Sequence, residues 1–194
     1  MSALSELIKN NRSFRRFDQS VKIELDTLKS LIDLARCSAS AANLQPLKYI
    51  LSVEPVMNER IFSCLAWAAY LKDWNGPSDG EKPSAYIVIL GDKSVTDNFR
   101  CDHGIAAQSI MLGAREIGFG GCIIAAIHQR NIRFCLNIHP NHEILLVLAL
   151  GKPIEEVLIE PVPADGNIRY WRDSNQVHHV PKRSLDDIIV SSYS

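Results

Sequence analysis

The sequence lacks the features that mark several large classes of protein. Its 194 residues carry a net charge of −1, which gives nucleic acid or an anionic membrane surface no electrostatic reason to bind. No apolar run approaches the roughly 20 residues that span a bilayer. The N-terminal sequence also lacks the apolar stretch and cleavage site of a signal peptide. We therefore expect a cytoplasmic protein that binds neither nucleic acid nor membrane.

Metal and disulfide signatures are missing as well. The five cysteines are odd in number, are scattered along the chain, and never form a C-x-x-C pair. The histidine pairs in HPNH (139–142) and QVHH (176–179) do not have the spacing of a zinc site. We predict no metal site, and we expect the cysteines to behave as small buried side chains.

Signatures of covalent catalysis and of common nucleotide folds are also absent. The chain has no G-x-S-x-G elbow, and no single cysteine stands out as a nucleophile with a nearby His and Asn. The run GFGGC (118–122) lacks the G-x-G-x-x-G spacing and the lysine of a P-loop. We therefore assign no catalytic side chain and expect a bound cofactor to supply any chemistry.

Apolar periodicity predicts a mixture of helices and strands. The predicted helices cover 25–37, 56–71, 103–118 and a short piece near 129–137, and the predicted strands cover 48–53, 85–90, 118–126 and 143–150. Asp26 or Thr27 would cap the first of these helices, and Asp102 the third. Because strands and helices do not alternate strictly, we predict an α+β fold with a central mixed sheet flanked by helices.

The length and the 46% hydrophobic content predict one domain over residues 1–194. The helix over 103–118 is apolar on nearly every side, which a chain of this size rarely encloses alone, so it favours a subunit partner. Past residue 153 the pattern weakens into a polar arm, 154–194, with an apolar end at IIV. This arm is expected to dock on another surface, such as a second subunit.

The polar loop KDWNGPSDGEKP (72–83) is long for a connection and carries two glycines and two prolines. With Trp67, Tyr70 and Trp74 beside or within it, the loop is a candidate substrate lid. Packing in the core is the alternative for Trp67 and Tyr70.

Two short segments concentrate polar groups that suit a ligand. The first, here the Arg–Ser segment (residues 11–16), contains Arg12, Ser13, Arg15 and Arg16, and arginine forks suit phosphate or carboxylate. A solvated basic turn is the alternative. A second basic pair, Lys182 with Arg183, would join it only if the tail folds back.

The second segment, here the amide turn (residues 38–46), reads SASAANLQP. It leaves a predicted helix with small residues, adds the amides of Asn43 and Gln45, and stops at Pro46. It is either a plain connector or a surface on which something flat with a polar edge lies close to the backbone.

In this order, the segments resemble the nitroreductase family of FMN-dependent oxidoreductases. RSFRRF resembles the family's R-S-x-R-x-F signature, and SASAANLQP resembles its S-x-x-N-x-Q-P motif. GIAAQSIMLGAREIGFGGC resembles the central helix and the small-residue turn after it. ALGKP and VPKRSLDDIIV are similar to the following strand end and the C-terminal tail. The resemblance runs from residue 11 to about residue 190.

The resemblance implies a homodimer with FMN sites at its interface and the C-terminal arm exchanged between subunits. The implied FMN-binding residues are Arg12, Ser13, Arg15, Lys182 and Arg183 at the phosphate and ribityl chain, Ser40, Ala41, Asn43 and Gln45 facing the flavin from the partner subunit, and the backbone of Ile124, Ala125 and Ala126 beside the ring. Two departures stand out: Asn11 replaces a second arginine of many members, and Ala125 with Ala126 replaces the Glu-Gly pair of some.

The implied activity is transfer of hydride from NAD(P)H through FMN to a small-molecule oxidant such as a nitroaromatic or a quinone, in ping-pong order. Two alternatives stay open. One is a flavin-binding protein without NAD(P)H turnover, serving as a sensor or a store. The other is a flavin enzyme of the same fold with different chemistry, such as reductive dehalogenation or flavin fragmentation.

Overall fold

Residues 2–193 are described by a computed structural model, and they contain both helices and strands. The helices are α1 (Ala3–Asn10), α2 (Leu25–Arg36), α3 (Pro55–Phe62), α4 (Asp102–Glu116), α5 (Gln129–Cys135) and α6 (Leu185–Ile188). The strands are β1 (Phe17–Asp18), β2 (Leu47–Ser52), β3 (Ala85–Asp92), β4 (Gly120–Ile124), β5 (His142–Pro153), β6 (Val157–Pro161), β7 (Trp171–Arg172) and β8 (His178–Lys182). The α+β prediction is confirmed.

The chain divides into two compact units. The larger comprises the chain up to Trp67 together with Gly76–Ile154, and the smaller comprises Ala68–Asn75 together with the chain from Glu155 onward. The C-terminal part of the smaller unit thus begins at Glu155, one residue after the start of the predicted arm (154–194). That the two units form one domain over 1–194 stays a prediction.

The larger unit contains a five-stranded sheet in which β5 is the longest strand. β5 pairs antiparallel with β3, β4 and β1, and β3 pairs antiparallel with β2. Parallel pairing enters at a single-residue bridge between Ser13 and Gly121. This bridge matters for the site, because it lays the Arg–Ser segment along the start of β4.

Strict alternation along β3 divides the core of the larger unit between the two faces of the sheet. Ala85, Ile87 and Ile89 pack with apolar residues of α2 and α4. The intervening Tyr86 and Val88 pack with residues of α3 and α5. Because successive side chains of a strand point to opposite faces, a strand apolar at every position needs a helical layer on both sides.

The predicted helix over 56–71 is shorter in the structure. α3 ends at Phe62, and the chain then pairs with the segment after β4 through a bridge between Leu65 and Ile127. The Ala66 amide donates to the Ala126 carbonyl at 3.0 Å, and the His128 amide donates to the Cys64 carbonyl at 2.8 Å. The apolar residues keep helical spacing past Phe62. The chain does not form a helix there, because its backbone pairs with the segment after β4 instead.

Two predicted helix caps and part of the cysteine prediction were wrong. The N-cap of α2 is Glu24 rather than Asp26 or Thr27, and the N-cap of α4 is Cys101 rather than Asp102. Cys64 and Cys122 are buried and Cys135 is half-buried, whereas Cys37 and Cys101 are exposed. The exposed pair lies at the ends of helices, where the apolar pattern breaks off.

The α4 helix is buried along one face only, within the residues that the structure describes. Ala107, Ile110 and Ala114 are fully buried, whereas Gly104 and Ile105 are exposed. The single chain therefore does not enclose the helix on every side, and the expected subunit partner stays a prediction.

The smaller unit contains a three-stranded sheet that the sequence pattern did not predict, because its strands are short and include Pro161 and Pro181. β8 lies between β6 and β7. Arg172 forms a buried ion pair with Glu155, in which Nη2 lies 3.0 Å from Oε2. Trp171 stacks on His179 with ring centroids 4.1 Å apart. The hydrogen bond to Glu160 raises the pKa of His179.

Candidate functional site

The Arg–Ser segment lies against the first residues of β4. The Phe14 amide donates to the Gly121 carbonyl at 2.9 Å, next to the bridge between Ser13 and Gly121. A side chain at Gly121 would not fit, since its Cβ would lie 2.2 Å from the Ala149 carbonyl oxygen. The glycine therefore permits close approach of β4 to β5, while its carbonyl remains paired with the Phe14 amide of the Arg–Ser segment.

Arg12 is one of two residues of this segment with a buried polar atom that has no hydrogen-bond partner within residues 2–193. Its Nη2 donates to the Ile8 carbonyl at 2.8 Å, whereas its Nε is buried without a hydrogen-bond partner within residues 2–193. Burial lowers the pKa of Arg12, because desolvation penalises the charged guanidinium. The neighbouring Asn11 Oδ1 is also buried without a partner among these residues. A half-buried cation whose Nε donor is itself buried is suited to an anionic ligand.

The other two arginines of the segment have protein partners. Arg16 forms a bidentate ion pair with Glu81, with donor–acceptor distances of 2.9 and 2.5 Å. Arg15 Nη1 donates to the Ser13 carbonyl at 3.2 Å. The ion pair gives Arg16 a structural role, which is consistent with its omission from the implied phosphate ligands.

β4 connects the Arg–Ser segment to the segment predicted to face a flavin ring. Ile124 ends the strand and is buried, and Ala125 and Ala126 follow it and are exposed. Ile124 lies three positions after Gly121, which is roughly 10 Å of extended strand. A ligand that contacts Ser13 and also the backbone after Ile124 is therefore an elongated molecule.

The amide turn has an unusual backbone. It contains a short 3₁₀ turn over Ala41–Asn43, and three of its residues have positive φ: 51° at Ala42, 54° at Asn43 and 52° at Gln45. Left-handed backbone costs a non-glycine residue roughly 1 kcal/mol or more. Conformations of this kind persist where surrounding contacts enforce them.

Hydrogen bonds from α4 and from within the turn hold this backbone. The Ser40 hydroxyl donates to Asp102 Oδ2 at 2.5 Å, and the Ala41 amide donates to Asp102 Oδ1 at 3.0 Å. The Gln45 amide donates back to the Ser40 hydroxyl oxygen at 2.9 Å. The Gln45 side chain donates to the Asn43 carbonyl at 3.2 Å and to Asn43 Oδ1 at 3.1 Å.

The amide turn borders a cleft of about 290 Å³ on the larger unit. The cleft is lined by Ile32, Ala35, Arg36, Ser38, Ala39, Ser40, Gln45, Leu47, Tyr49, Asp102 and Ala106. Burial and, secondarily, the charge of Asp102 raise the pKa of Tyr49. Ala41, Asn43 and Gln45 are exposed, so their polar groups are accessible to a ligand or to a second chain.

The predicted site residues therefore fall into three groups. Ser13 and Ile124 are connected through β4, and Ser40, Ala41, Asn43 and Gln45 share one turn supported by α4. The third group, Lys182 with Arg183, lies in the smaller unit, where both side chains are exposed at the end of β8. Asp102 was predicted only as a cap, because no signal in the sequence links it to a segment about sixty residues earlier.

The loop over 72–83 is irregular, as predicted. In the larger unit Trp67 lies 5.7 Å from Phe62, between ring centroids, and a Cβ at Gly76 would lie 2.8 Å from its ring. In the smaller unit Tyr70 packs on Tyr170 with centroids 4.9 Å apart. Trp67 is half-buried against the core, which favours packing for it, whereas Tyr70 is 47% exposed and packs on Tyr170 at the surface. The lid role of the loop stays a prediction.

No helix within residues 2–193 is long and apolar enough to cross a membrane. Across the same residues, no group of three or more His, Cys, Asp or Glu side chains is arranged to hold a metal ion.

The protein belongs to the α+β class. It carries a basic segment along one strand of the sheet and an exposed amide turn that is hydrogen-bonded to a helix. Its family follows from comparison with known proteins. The chain belongs to the Nitroreductase family, whose model matches residues 8–152. The match includes the Arg–Ser segment, the amide turn and the five-stranded sheet up to Lys152, the residue before the end of β5.

Individual relatives agree with this assignment. A Methanothermobacter thermautotrophicus protein named "Putative NADH dehydrogenase/NAD(P)H nitroreductase" is 30% identical over 158 residues, which is 77% of each chain. A crystal structure of a nitroreductase family protein from Clostridium novyi NT is 28% identical, with a TM-score of 0.63 over 78% of this chain and 87% of that one. An FMN-dependent nitroreductase from Clostridium difficile R20291 shares the fold at 23% identity, with a TM-score of 0.63 over 77% and 87% of the two chains.

Proposed function

We propose that this protein is an FMN-dependent oxidoreductase that uses NAD(P)H to reduce a small-molecule oxidant. When bound, FMN would accept a hydride from NAD(P)H and then pass the electrons to an oxidant such as a nitroaromatic or a quinone. Membership of the Nitroreductase family supports this proposal, as do the name of the Methanothermobacter relative and the FMN dependence of the Clostridium difficile protein.

The observation that carries the proposal is that Arg12 Nε is buried without a partner among the described residues. The next residue, Ser13, forms a bridge with Gly121 of β4. A phosphate group fits this environment, because it would satisfy a donor and neutralise a charge that burial penalises. Arg12, Ser13 and Arg15 would hold the phosphate and ribityl chain. Lys182 and Arg183 would add positive charge there.

The remaining site residues would orient the ring of the cofactor. The backbone after Ile124, at Ala125 and Ala126, would lie beside it. Ser40, Ala41, Asn43 and Gln45 of the partner subunit would face it, with small side chains that permit close approach and amides that pair with a polar edge. Dipoles and cations near the ring would stabilise negative charge on it. None of these roles requires a nucleophilic side chain.

The proposal includes a homodimer in which the C-terminal arm is exchanged between subunits. The exposed apolar residues at the end of the arm support it: Ile188 is 59%, Ile189 53% and Val190 99% exposed in the single chain. Truncation before Asp186 should lower both the dimer fraction and the flavin content, as measured by analytical ultracentrifugation and absorbance. Removal of residues 191–194 alone is the matched control. A truncated protein that stays dimeric and fully flavin-loaded would contradict the exchanged arm.

The proposed activity is tested by the visible absorption spectrum of the purified protein, followed by anaerobic addition of NADH and then of NADPH. A yellow protein that bleaches with either nucleotide would support an NAD(P)H-dependent flavin reductase. A yellow protein that bleaches with neither would favour a flavin-binding protein without turnover, or a flavin enzyme with different chemistry. A colourless protein that FMN does not reconstitute would contradict the proposal.

A further inference from the structure

Asp102 is a buried carboxylate whose two oxygens bind a distant part of the chain. It is the first residue of α4 and is only 4% exposed. Among residues 2–193 its carboxylate does not bind the backbone of its own helix, whose N-cap is the preceding Cys101. Instead, one oxygen accepts from the Ser40 hydroxyl and the other from the Ala41 amide. The carboxylate therefore serves the amide turn rather than the helix that carries it.

The hydrogen bonds at Asp102 continue through the turn. The Ser40 hydroxyl donates to Asp102 and accepts from the Gln45 amide, so the two ends of the segment from Ser40 to Gln45 meet at one oxygen atom. The left-handed residues Ala42, Asn43 and Gln45 lie within the segment that this contact closes. A strained backbone closed at its ends is expected to relax when the closing contact is removed.

We propose that Asp102 is a positioning residue that holds the amide turn in its flavin-binding conformation through Ser40 and Ala41. This inference rests on the proposed function, because the turn is taken to face FMN. In this role Asp102 itself would touch neither the flavin ring nor any reacting atom. Its effect on the ligand passes through the placement of Asn43 and Gln45, whose exposed amides would contact the ring.

A carboxylate suits this place because it offers one acceptor oxygen to the Ser40 hydroxyl and another to the Ala41 amide. Asparagine keeps one acceptor oxygen and presents an NH₂ group in place of the other, so it could bond Ser40 only by donating to a hydroxyl oxygen that already accepts from the Gln45 amide. Alanine satisfies neither. The three side chains at position 102 therefore form a graded series, with two, one and no acceptors for the turn.

The test compares Asp102→Asn and Asp102→Ala with a control that loses a hydrogen bond at a neighbouring place. Ser109 of α4 shares a hydrogen bond of 2.7 Å with Ser38 at the start of the turn, outside the segment from Ser40 to Gln45. Ser109→Ala thus removes one contact between the turn and α4 without touching Asp102. Circular dichroism confirms that each variant is folded at the temperature of the measurements.

The first measurement is amide hydrogen exchange of flavin-free protein in a peptide covering residues 38–46, with peptides of β3 as the internal reference. We expect exchange in this peptide to rise about tenfold in Asp102→Ala and less in Asp102→Asn, since hydrogen bonds to a charged acceptor are lost. Ser109→Ala should leave the amides of Ala41 and Gln45 protected. Equal exchange in Asp102→Ala and Ser109→Ala would overturn the proposal.

The second measurement is the dissociation constant for FMN and for riboflavin, which lacks the phosphate. Asp102→Ala should weaken both by about tenfold, because the ring-facing turn and not the phosphate site is disturbed. Flavin affinity as tight as that of Ser109→Ala would overturn the proposal while leaving the proposed function intact. A wild-type protein that binds neither flavin would instead overturn the proposed function, and the exchange experiment would still test the role of Asp102.

Discussion

The amide turn and the Arg–Ser segment, the two main parts of the candidate site, differ in how their polar groups are satisfied. In the turn, Ser40, Ala41 and Gln45 donate to Asp102 or to atoms of the turn itself. In the Arg–Ser segment, Arg12 Nε is buried without a partner among residues 2–193. Buried polar atoms in proteins are nearly always paired, so the second arrangement leaves a donor available to a ligand.

This contrast indicates that the two segments contribute differently to ligand binding. The turn is shaped by the protein before any ligand binds, so it would contribute shape and amide contacts at little cost in ordering. The Arg–Ser segment retains an unsatisfied donor and positive charge, so it would contribute affinity for an anionic group. Flavins with and without a phosphate can separate the two contributions.

The largest expected effect is that of Arg12→Ala on FMN binding. Loss of a charge-assisted contact should weaken FMN between about tenfold and about a hundredfold, whereas riboflavin should bind almost as in the wild type. Flavin titrations of both proteins give the two affinity ratios. Equal loss for FMN and riboflavin would show that Arg12 does not act on the phosphate, and the contrast between the segments would fail.

Asn43→Gly is expected to weaken FMN and riboflavin equally, by about tenfold, because it removes an amide that faces the ring. Glycine is chosen over alanine because φ at this position is 54°, which glycine adopts without strain. The same titrations measure the effect. An Asn43→Gly protein that loses affinity for FMN alone would assign the amide to the phosphate rather than to the ring.

Arg16→Ala is the matched control for Arg12→Ala, since both remove a guanidinium from the same segment. The Arg16 ion pair with Glu81 is partly buried, so its loss should lower the free energy of unfolding by about 1 kcal/mol. Urea denaturation measures this change. The ratio of FMN to riboflavin affinity should stay at the wild-type value, and a drop in that ratio would mean that any positive charge in the segment suffices.

The smallest expected effect is that of Ala42→Gly on stability. Because φ at Ala42 is 51°, glycine should raise the free energy of unfolding by up to about 1 kcal/mol, after its larger backbone entropy in the unfolded chain is deducted. Ala39→Gly, in the same turn but outside the left-handed residues, should lower it by a few tenths of a kcal/mol. Identical shifts in the two variants would mean that the turn carries no strain at Ala42.

The elements with strong periodicity were predictable from the sequence. Residues 85–90 of β3 are apolar without a break, which predicts a strand buried on both faces, and α2 has apolar residues at helical spacing, which predicts an amphipathic helix. The helix over 56–71 was predicted too long for the same reason, since the spacing of Cys64, Leu65 and Ala68 is helical. Backbone pairing of Leu65 with Ile127 decides against the helix, and no local signal encodes that pairing.

The sheet of the smaller unit shows a second limit of sequence reasoning. Its strands are short and two of them contain proline, so their patterns resemble those of an irregular arm. Contacts such as the buried pair of Arg172 with Glu155 stabilise it, and they join residues far apart in the sequence.

The sequence by itself determined the α+β class, most of the helices and strands of the larger unit, and the two segments that resemble the motifs of the Nitroreductase family. These features depend on residue type and spacing within a few turns of chain. Only the tertiary structure decided which polar groups are satisfied: Asp102 binds the amide turn, Arg16 binds Glu81, and Arg12 keeps a buried donor without a partner among the described residues. A hydrogen bond forms only when the donor–acceptor distance is correct to within a few tenths of an ångström. For residues remote in sequence, only the folded chain fixes that distance.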